Sequence, residues 1–546
     1  VPGEKKYSNI KVTNFVTKDE LSGSIFYDDL KSKSFFFPSL AEGSKSHLDY
    51  ETIITEPRFM SGFYFGSFSP LENSICIITA DNDIELIFKY FNTTAEGLSF
   101  TKEVGKKRTI YTWSINEPKK FKLEDNTPPS QSFIPHVIPR IKSYKYDGEE
   151  VKILGDLTDL HNWYYDLIDD VNQEPSEDLH QVVDSLISGL TTEQEKVKAI
   201  YYWVQDNIKY IAMEAGLGGF IPEEAAEVCK NKYGDCKGMS SITNQMLKIA
   251  GIESHLTWIG SRDIIYKYNE IPTPVVDNHM ICTYIDGDNF HFLDATGSEV
   301  PLSLSTSFIQ GKEALIDMGD GKYQLHEVPV IDRLTNLEID TTIFTIDKTG
   351  KVLGKTKYTS NGLNSIYMRR GLKGRTHNEL KKYVSSYNSK GNNKFIVDTF
   401  HVENINDKDL PINISLEYTI QDYVTINGDE IYVNLHLDRY FIDGKIDDDR
   451  EHAFENDFKS TSRNVAYLDV PDGYAINYIP EDDSMQSELF GYDIKYTKVT
   501  DAQIMLEFEV YEDYLILTPE YFEEWNKMIK GLKNNYSETV ILKRNK

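Results

Sequence analysis

Cysteine is scarce in this chain: Cys76, Cys229, Cys236 and Cys282 are the only four in 546 residues. That is too few for a disulfide framework, and none stands in a CxxC pair, which argues against structural zinc. Long apolar runs are missing as well. No stretch approaches the ~18 uninterrupted apolar residues that a membrane-spanning helix requires, so no transmembrane segment is expected. Basic charge is in short supply: 58 Lys and Arg face 87 Asp and Glu, a net charge of -29. Such a chain has no general attraction for nucleic acid or anionic lipid, so no nucleic-acid partner is expected. Neither GxGxxG nor GxxxxGKS occurs, which removes the common nucleotide motifs. The start, Val1-Pro2-Gly3-Glu4-Lys5-Lys6, has no signal-peptide apolar region. A leader has been removed, or the numbering begins inside a longer gene product.

Apolar material is plentiful at 40%, with 12% aromatic residues. At roughly 150 residues per domain, about three or four packed domains are expected. Up to about 123 the pattern is β-rich, with short runs such as 74–79 and 108–113 between turn residues, as in a sandwich. A cluster of Pro128, Pro129, Pro135 and Pro139 cannot be helical and marks the expected first boundary. From about 155 helical spacing takes over. Thr191 and Thr192 ahead of Gln194 and Glu195 offer two capping-box registers, and Val197, Ile200, Tyr201, Val204, Ile208 and Ile211 form one apolar face. Strands return from about Leu337 to the end, interrupted by helices near His377–Tyr387 and 519–532. The plan is β, then α+β, then β.

The chemically informative segment is Tyr233-Gly234-Asp235-Cys236-Lys237-Gly238, followed by Ile242, Thr243, Met246, Leu247 and Ala250 at spacings of three and four, then Gly251. This predicts a helix that starts at or near Cys236 and ends on a glycine cap. A cysteine there faces unpaired N–H groups and the positive end of the helix dipole, which favour the nucleophilic thiolate. The same N–H groups suit a tetrahedral oxyanion. Lys237 adds a nearby positive charge unless it points to water.

A base follows in Asn278-His279 at the head of a strand, with a turn over 286–289 and a returning strand to Asp294. If 286 and 287 form a two-residue turn, His279 pairs directly with Asp294. A four-residue turn over 286–289 leaves them diagonal on one face. Only an odd-length loop separates them. A carboxylate beside an imidazole fixes its tautomer and stabilises the imidazolium. In the first register His291 pairs with Cys282 on the opposite face, which makes it the poorer base.

Tyr-Gly-Asp-Cys-Lys with its helix, Asn-His opening a strand and Leu293-Asp294-Ala295-Thr296 together resemble the transglutaminase-like superfamily. So do 203–210, 218–222 and 226–228 upstream. The chain resembles in particular the large three-part bacterial members found mainly in Bacteroidetes. Phe36–Ser44 resembles their N-terminal domain; 470–474 and 521–542 resemble their C-terminal one. Gly238 stands where these proteins usually carry Asp, and Ala295 where Pro is common.

The resemblance implies a multidomain α+β chain: a papain-like, transglutaminase-like core (141–335) between two mostly β, sandwich-like domains (1–140 and 336–546). It implies acyl chemistry by a Cys236-His279-Asp294 triad on a peptide or protein substrate, in the periplasm or outside the cell. The backbone N–H of Cys236 would serve the oxyanion, with Gln205 and Tyr210 as candidates for a second donor. No metal or cofactor is required, and the acidic runs 443–449 and 317–320 lack calcium-loop spacing and read as solvated surface. Two alternatives stand beside hydrolysis: a catalytically weak protein whose β-domains bind protein or glycan, and an amine-transferring crosslinker.

Overall fold

The N-terminal region is built by strands whose residues alternate between inside and outside. In Asn73–Asp81 the inward positions are Ser74, Cys76 and Ala80, and this strand pairs with Arg108–Asn116, which pairs with Ser99–Val104. A second sheet joins Ile84–Phe91 to His136–Tyr146. Phe65, Cys76, Trp113, Ile115 and Val137 fill the space between the sheets. The proline-rich stretch is non-helical apart from a single 3-10 turn at Ser130–Ser132, and Pro139 lies within the strand opposite Phe88. The chain therefore passes position 140 in mid-strand. The computed structural model describes residues 9–19, 25–28, 31–93, 97–174, 176–214, 216–319 and 321–545.

Helical spacing becomes helix at α1 (Leu157–Asp166), α2 (Glu177–Ile187), α3 (Glu193–Asn207), α4 (Ala225–Asn231) and α5 (Cys236–Ile249). Of the two capping-box registers, Thr192 with Glu195 is the one used. The helices pack beside a five-stranded antiparallel sheet ordered Asn289–Leu293, His279–Asp286, Ser254–Ile259, Glu313–Asp317 and Tyr323–Glu327. Val197, Ile200 and Val204 of α3 meet Ile242, Met246 and Leu247 of α5 and Cys282 of the sheet in one buried cluster. That cluster holds α5 against the strand that carries His279.

The C-terminal region is built on an eight-stranded sheet in which only Leu337–Ile346 and Ser460–Asp469 run parallel, with a four-stranded and a two-stranded sheet beside it. Three helices pack with it: α6 (Gly362–Leu372), α7 (His377–Tyr387) and α8 (Phe522–Asn535), the last after a 3-10 turn at Pro519–Tyr521. The fold is thus mixed α+β, as expected, with α6 an addition to the two anticipated helices. Within this region Lys390, with a side chain 1% exposed, donates at 2.7 Å to both Asp340 and Asp438.

The acidic side chains of 443–449 lie exposed, as anticipated, although some of them meet the N-terminal region, while Asp317 departs from that expectation. Asp449 pairs with Lys122 of the N-terminal region, and the neighbouring Arg450 donates to the carbonyls of Asp125 and Asn126. Asp317 takes a bond from the buried His161 at 3.1 Å, whereas Asp320 lies outside the described residues. Charges at a seam between regions find partners that local sequence does not reveal. No described helix is long and apolar enough to cross a membrane.

Candidate functional site

Helix α5 starts at Cys236 because Asp235 caps it. Asp235 has extended backbone, and its Oδ1 accepts the N–H groups of Lys237 at 2.9 Å and Gly238 at 3.0 Å. Such a cap is worth ~1 kcal/mol. At the other end Gly251 takes φ +74°, a left-handed conformation that glycine adopts without Cβ strain. Lys237 does not point to water. It is 5% exposed and ion-paired with Asp235, since a buried carboxylate requires a counter-charge.

The hairpin after His279 takes the second of the anticipated registers. Asp286 pairs with Asn289 and Cys282 with Leu293, so His279 and Asp294 are diagonal neighbours on one face. His291 correspondingly pairs with Tyr284, not Cys282, and stacks on its ring. The shift follows from a loop of Gly287 and Asp288 in which Gly287 has positive φ. His279 is fixed from behind by Asn278, whose side chain accepts the Ser261 N–H at 2.9 Å. Ser240 of α5 donates toward both the Cys236 carbonyl at 2.7 Å and the Met280 carbonyl at 2.8 Å, bracing the helix against the strand.

His279 Nε2 stands 3.2 Å from Asp294 Oδ1. Nε2 meets no partner at hydrogen-bonding angles, so this contact is one of charge pairing; such pairs are commonly loose in unliganded sites. Asp294 is 1% exposed and well held. Its Oδ1 accepts the Thr296 hydroxyl at 2.6 Å, its Oδ2 the Thr306 hydroxyl at 2.7 Å, and its carbonyl the Tyr201 hydroxyl at 3.0 Å. Burial alone would raise its pKa, but the His279 charge and these hydroxyls bring it below the usual carboxylate range. Burial likewise opposes a charged His279, yet Asp294, followed by hydrogen bonding and charge from Cys236, raises the imidazole to about 10. The arrangement therefore places a thiol, an imidazole whose protonated form is favoured and a well-held carboxylate in series. Access is narrow: Cys236 is 9% exposed and the His279 side chain 10%. Phe308, itself partly exposed, packs edge-on against the imidazole at 5.2 Å.

Gln205 is not available to an oxyanion. Its Nε2 donates to the Val300 carbonyl at 3.0 Å, and its Oε1 accepts Lys408 from the C-terminal region. Tyr210 lies beside the segment that leads into α5, because Lys209–Tyr210 runs parallel to Tyr233–Gly234. Gly238 leaves room for a neighbour: a Cβ there would meet Glu223 Oε2 at 3.1 Å and Val228 Cγ2 at 3.2 Å. Burial, then the Asp235 charge, raises the Glu223 pKa. The remaining cysteines are buried, and burial pushes the Cys282 thiol up to about 12. Sequence reasoning missed Ser240, Thr306 and Phe308. Thr296 was present in the Leu-Asp-Ala-Thr motif without a role, while the other three are ordinary residues whose partners are distant in sequence.

Comparison with known proteins places this geometry in a family context. Residues 180–269 match the model of the Transglutaminase-like superfamily, so the middle of the chain is a transglutaminase-like core. Residues 2–122 match a Domain of Unknown Function with solved structure, DUF3857. Among solved structures, a "putative protease" from Parabacteroides distasonis shares the fold with a TM-score of 0.54 and 11% identity, over 88% of this chain and 74% of that one. A "putative cysteine protease" from Cytophaga hutchinsonii aligns over 43% of this chain and 74% of that one at 14% identity, with a TM-score of 0.18 that supports no inference. No curated protein matches the sequence.

Proposed function

From the transglutaminase-like core and its site geometry, we propose that this protein is a thiol acyl-transfer enzyme of the cell envelope. In this reading it hydrolyses peptide or amide bonds through Cys236, His279 and Asp294. The observation that carries the proposal is the series in which a helix-N-terminal thiol meets an imidazole that is itself paired with a buried carboxylate. Such an imidazolium stabilises the thiolate form of its partner. The thiolate attacks the substrate carbonyl carbon, and the C–S bond forms as the oxygen becomes an oxyanion facing the Cys236 N–H. His279 then gives its proton to the leaving amine as the C–N bond breaks. Water attacks the acyl-enzyme, His279 takes its proton, and the acid is released with the thiol restored. Asp294 holds the ring throughout without itself becoming protonated. Tyr210 is the better-placed candidate for the second oxyanion donor. Analogy among bacterial members favours water over an amine as acceptor.

Alkylation by iodoacetamide tests the series. Cys236 reacts at pH 6.5 well ahead of Cys76, Cys229 and Cys282, and His279→Ala slows it, as read by peptide mass mapping. Equal, sluggish labelling of all four thiols removes the reading. The 9% exposure of Cys236 favours a second reading, a catalytically weak protein that binds protein or glycan. Reactive Cys236 without turnover of any fluorogenic peptide in a mixed library would select it. Incorporation of a dansylated amine into a glutamine-bearing protein would instead select amine transfer.

A further inference from the structure

The segment 295–308 joins the Asp294 carboxylate to the aromatic ring beside His279. Three of its side chains face the site: Thr296 and Thr306, which donate to the two oxygens of Asp294, and Phe308, which packs on His279. Between them the segment turns outward and meets helix α6. Arg370 donates to the Ser298 carbonyl through Nε at 3.0 Å and Nη2 at 2.7 Å. Lys373 pairs with Glu299, and Val300 packs with Leu363 and Ile366. The Ser307 hydroxyl lies 3.2 Å from the Tyr367 hydroxyl.

These contacts come from one face of α6 and the residue that caps its end. Positions 363, 366 and 370 recur at spacings of three and four, so their side chains share a stripe along the helix, and Lys373 follows as its C-terminal cap. Met368 and Leu372 are instead buried in the C-terminal core. The helix is therefore anchored in the C-terminal region on one side and grips the segment on the other. At the centre of the grip Glu299 has φ +69° while only 6% exposed. A non-glycine residue persists there only when its surroundings over-determine it. The inner edge is fastened to α3, where Gln205 holds the Val300 carbonyl and Tyr202 accepts the Leu302 N–H at 3.1 Å. The C-terminal region reinforces this too, since Lys408 bonds Gln205 and Asp409 accepts the Tyr202 hydroxyl.

We infer that Arg370 and Lys373 of the C-terminal region are positioning residues for the site, acting through the segment 295–308 on the carboxylate and ring that flank His279. The inference rests on the thiol-enzyme reading above and assigns the C-terminal region a part in it. A segment held on its outer side presents Thr296, Thr306 and Phe308 in one arrangement. Released, it lets the Asp294 carboxylate and the Phe308 ring move independently, and small misplacements of a reacting group are costly.

The test uses the full chain with Arg370→Ala and Lys373→Ala combined. The pH profile of Cys236 alkylation is compared with that of the wild type, beside the thermal midpoint. The expected result is a fall of about tenfold in the pH 6.5 rate, with the profile displaced toward higher pH and the midpoint little changed. Arg370→Lys with Lys373→Arg restores the profile. A wild-type profile in the double alanine variant overturns the inference. If that variant fails to fold, Tyr367→Phe decides through the Ser307 contact: a displaced profile supports the inference and an unchanged one overturns it. The two readings fail separately. Loss of His279-dependence in the wild-type chain removes the enzyme reading, whereas an unchanged α6 variant of a His279-dependent chain removes only the coupling.

Discussion

In the core, Cys236, His279 and Asp294 form a largely buried ionisable group with slight exposure at the thiol and the imidazole. In the C-terminal region, Asp340, Lys390 and Asp438 form another with almost none on its lysine side. The two differ in how their charge is settled. Lys390 donates to both carboxylates, and although burial opposes its charge, they raise its pKa. The group ties the strand Leu337–Ile346 to the segments after α7 and beyond Val433. In the core the carboxylate is held by two threonines, the thiol sits at a helix start, and the imidazole lies between them. Burial alone thus does not mark a functional group. Partners and exposure tell the two groups apart.

The largest expected effect separates the two groups outright. Cys236→Ala should lower peptide turnover by ~10⁴-fold or more, since the nucleophile is removed, while the thermal midpoint stays nearly unchanged. Lys390→Met should do the reverse. It leaves the buried Asp340 and the half-buried Asp438 without their counter-charge, so unfolding in urea should show a loss of about 3–5 kcal/mol. Cys236 alkylation in the surviving folded fraction should match the wild type. A Lys390 variant of wild-type stability would break the contrast.

Next in size is the dependence of stability on pH. The folded pKa of His279 is raised from 6.5 to about 10, so the stability it contributes is fully present below 6.5 and is lost as pH rises through 10. Lys390 is raised from 10.5, so its contribution persists through that window and is lost only above it. Urea unfolding of the wild type should therefore weaken between pH 7 and 10. In His279→Gln that slope should flatten, and in Lys390→Met it should persist. An equal slope in all three chains would mean that the core group does not hold its proton.

Much of the core was legible because its signals are local. The stripe from Ile242 to Leu247 and the terminal Gly251 describe α5 within one stretch of chain, and the spacing of hydrophobic residues likewise anticipated α7. The hairpin was legible to within its register, because both even-length loops keep His279 and Asp294 on one face. What escaped depends on remote partners. Gln205 resembles an oxyanion donor until Val300 and Lys408 are folded onto it. Lys237 resembles a surface charge until Asp235 is buried beside it. Helix α6 carries Gly362 and a mixed face, because one side serves the C-terminal core and the other the segment 295–308.

The smallest effect bears on how tightly the nucleophile end of α5 is packed compared with the sealed C-terminal group. Gly238 is helical, and replacing a helical glycine by alanine ordinarily gains ~1 kcal/mol. Here the new Cβ would meet Glu223 Oε2 at 3.1 Å and Val228 Cγ2 at 3.2 Å. The carboxylate is the end of a flexible side chain and can rotate away. Val228 is fully buried in the helical cluster and cannot. The contact with Val228 should therefore cancel the gain in helix propensity, leaving Gly238→Ala within about 1 kcal/mol of the wild type and slightly less stable. Alkylation of Cys236 should change less than twofold, because Asp235 continues to cap the helix through the N–H groups of Lys237 and residue 238. A gain approaching the full helix-propensity value would mean that Val228 yields, and that this end of the site is looser than its burial implies.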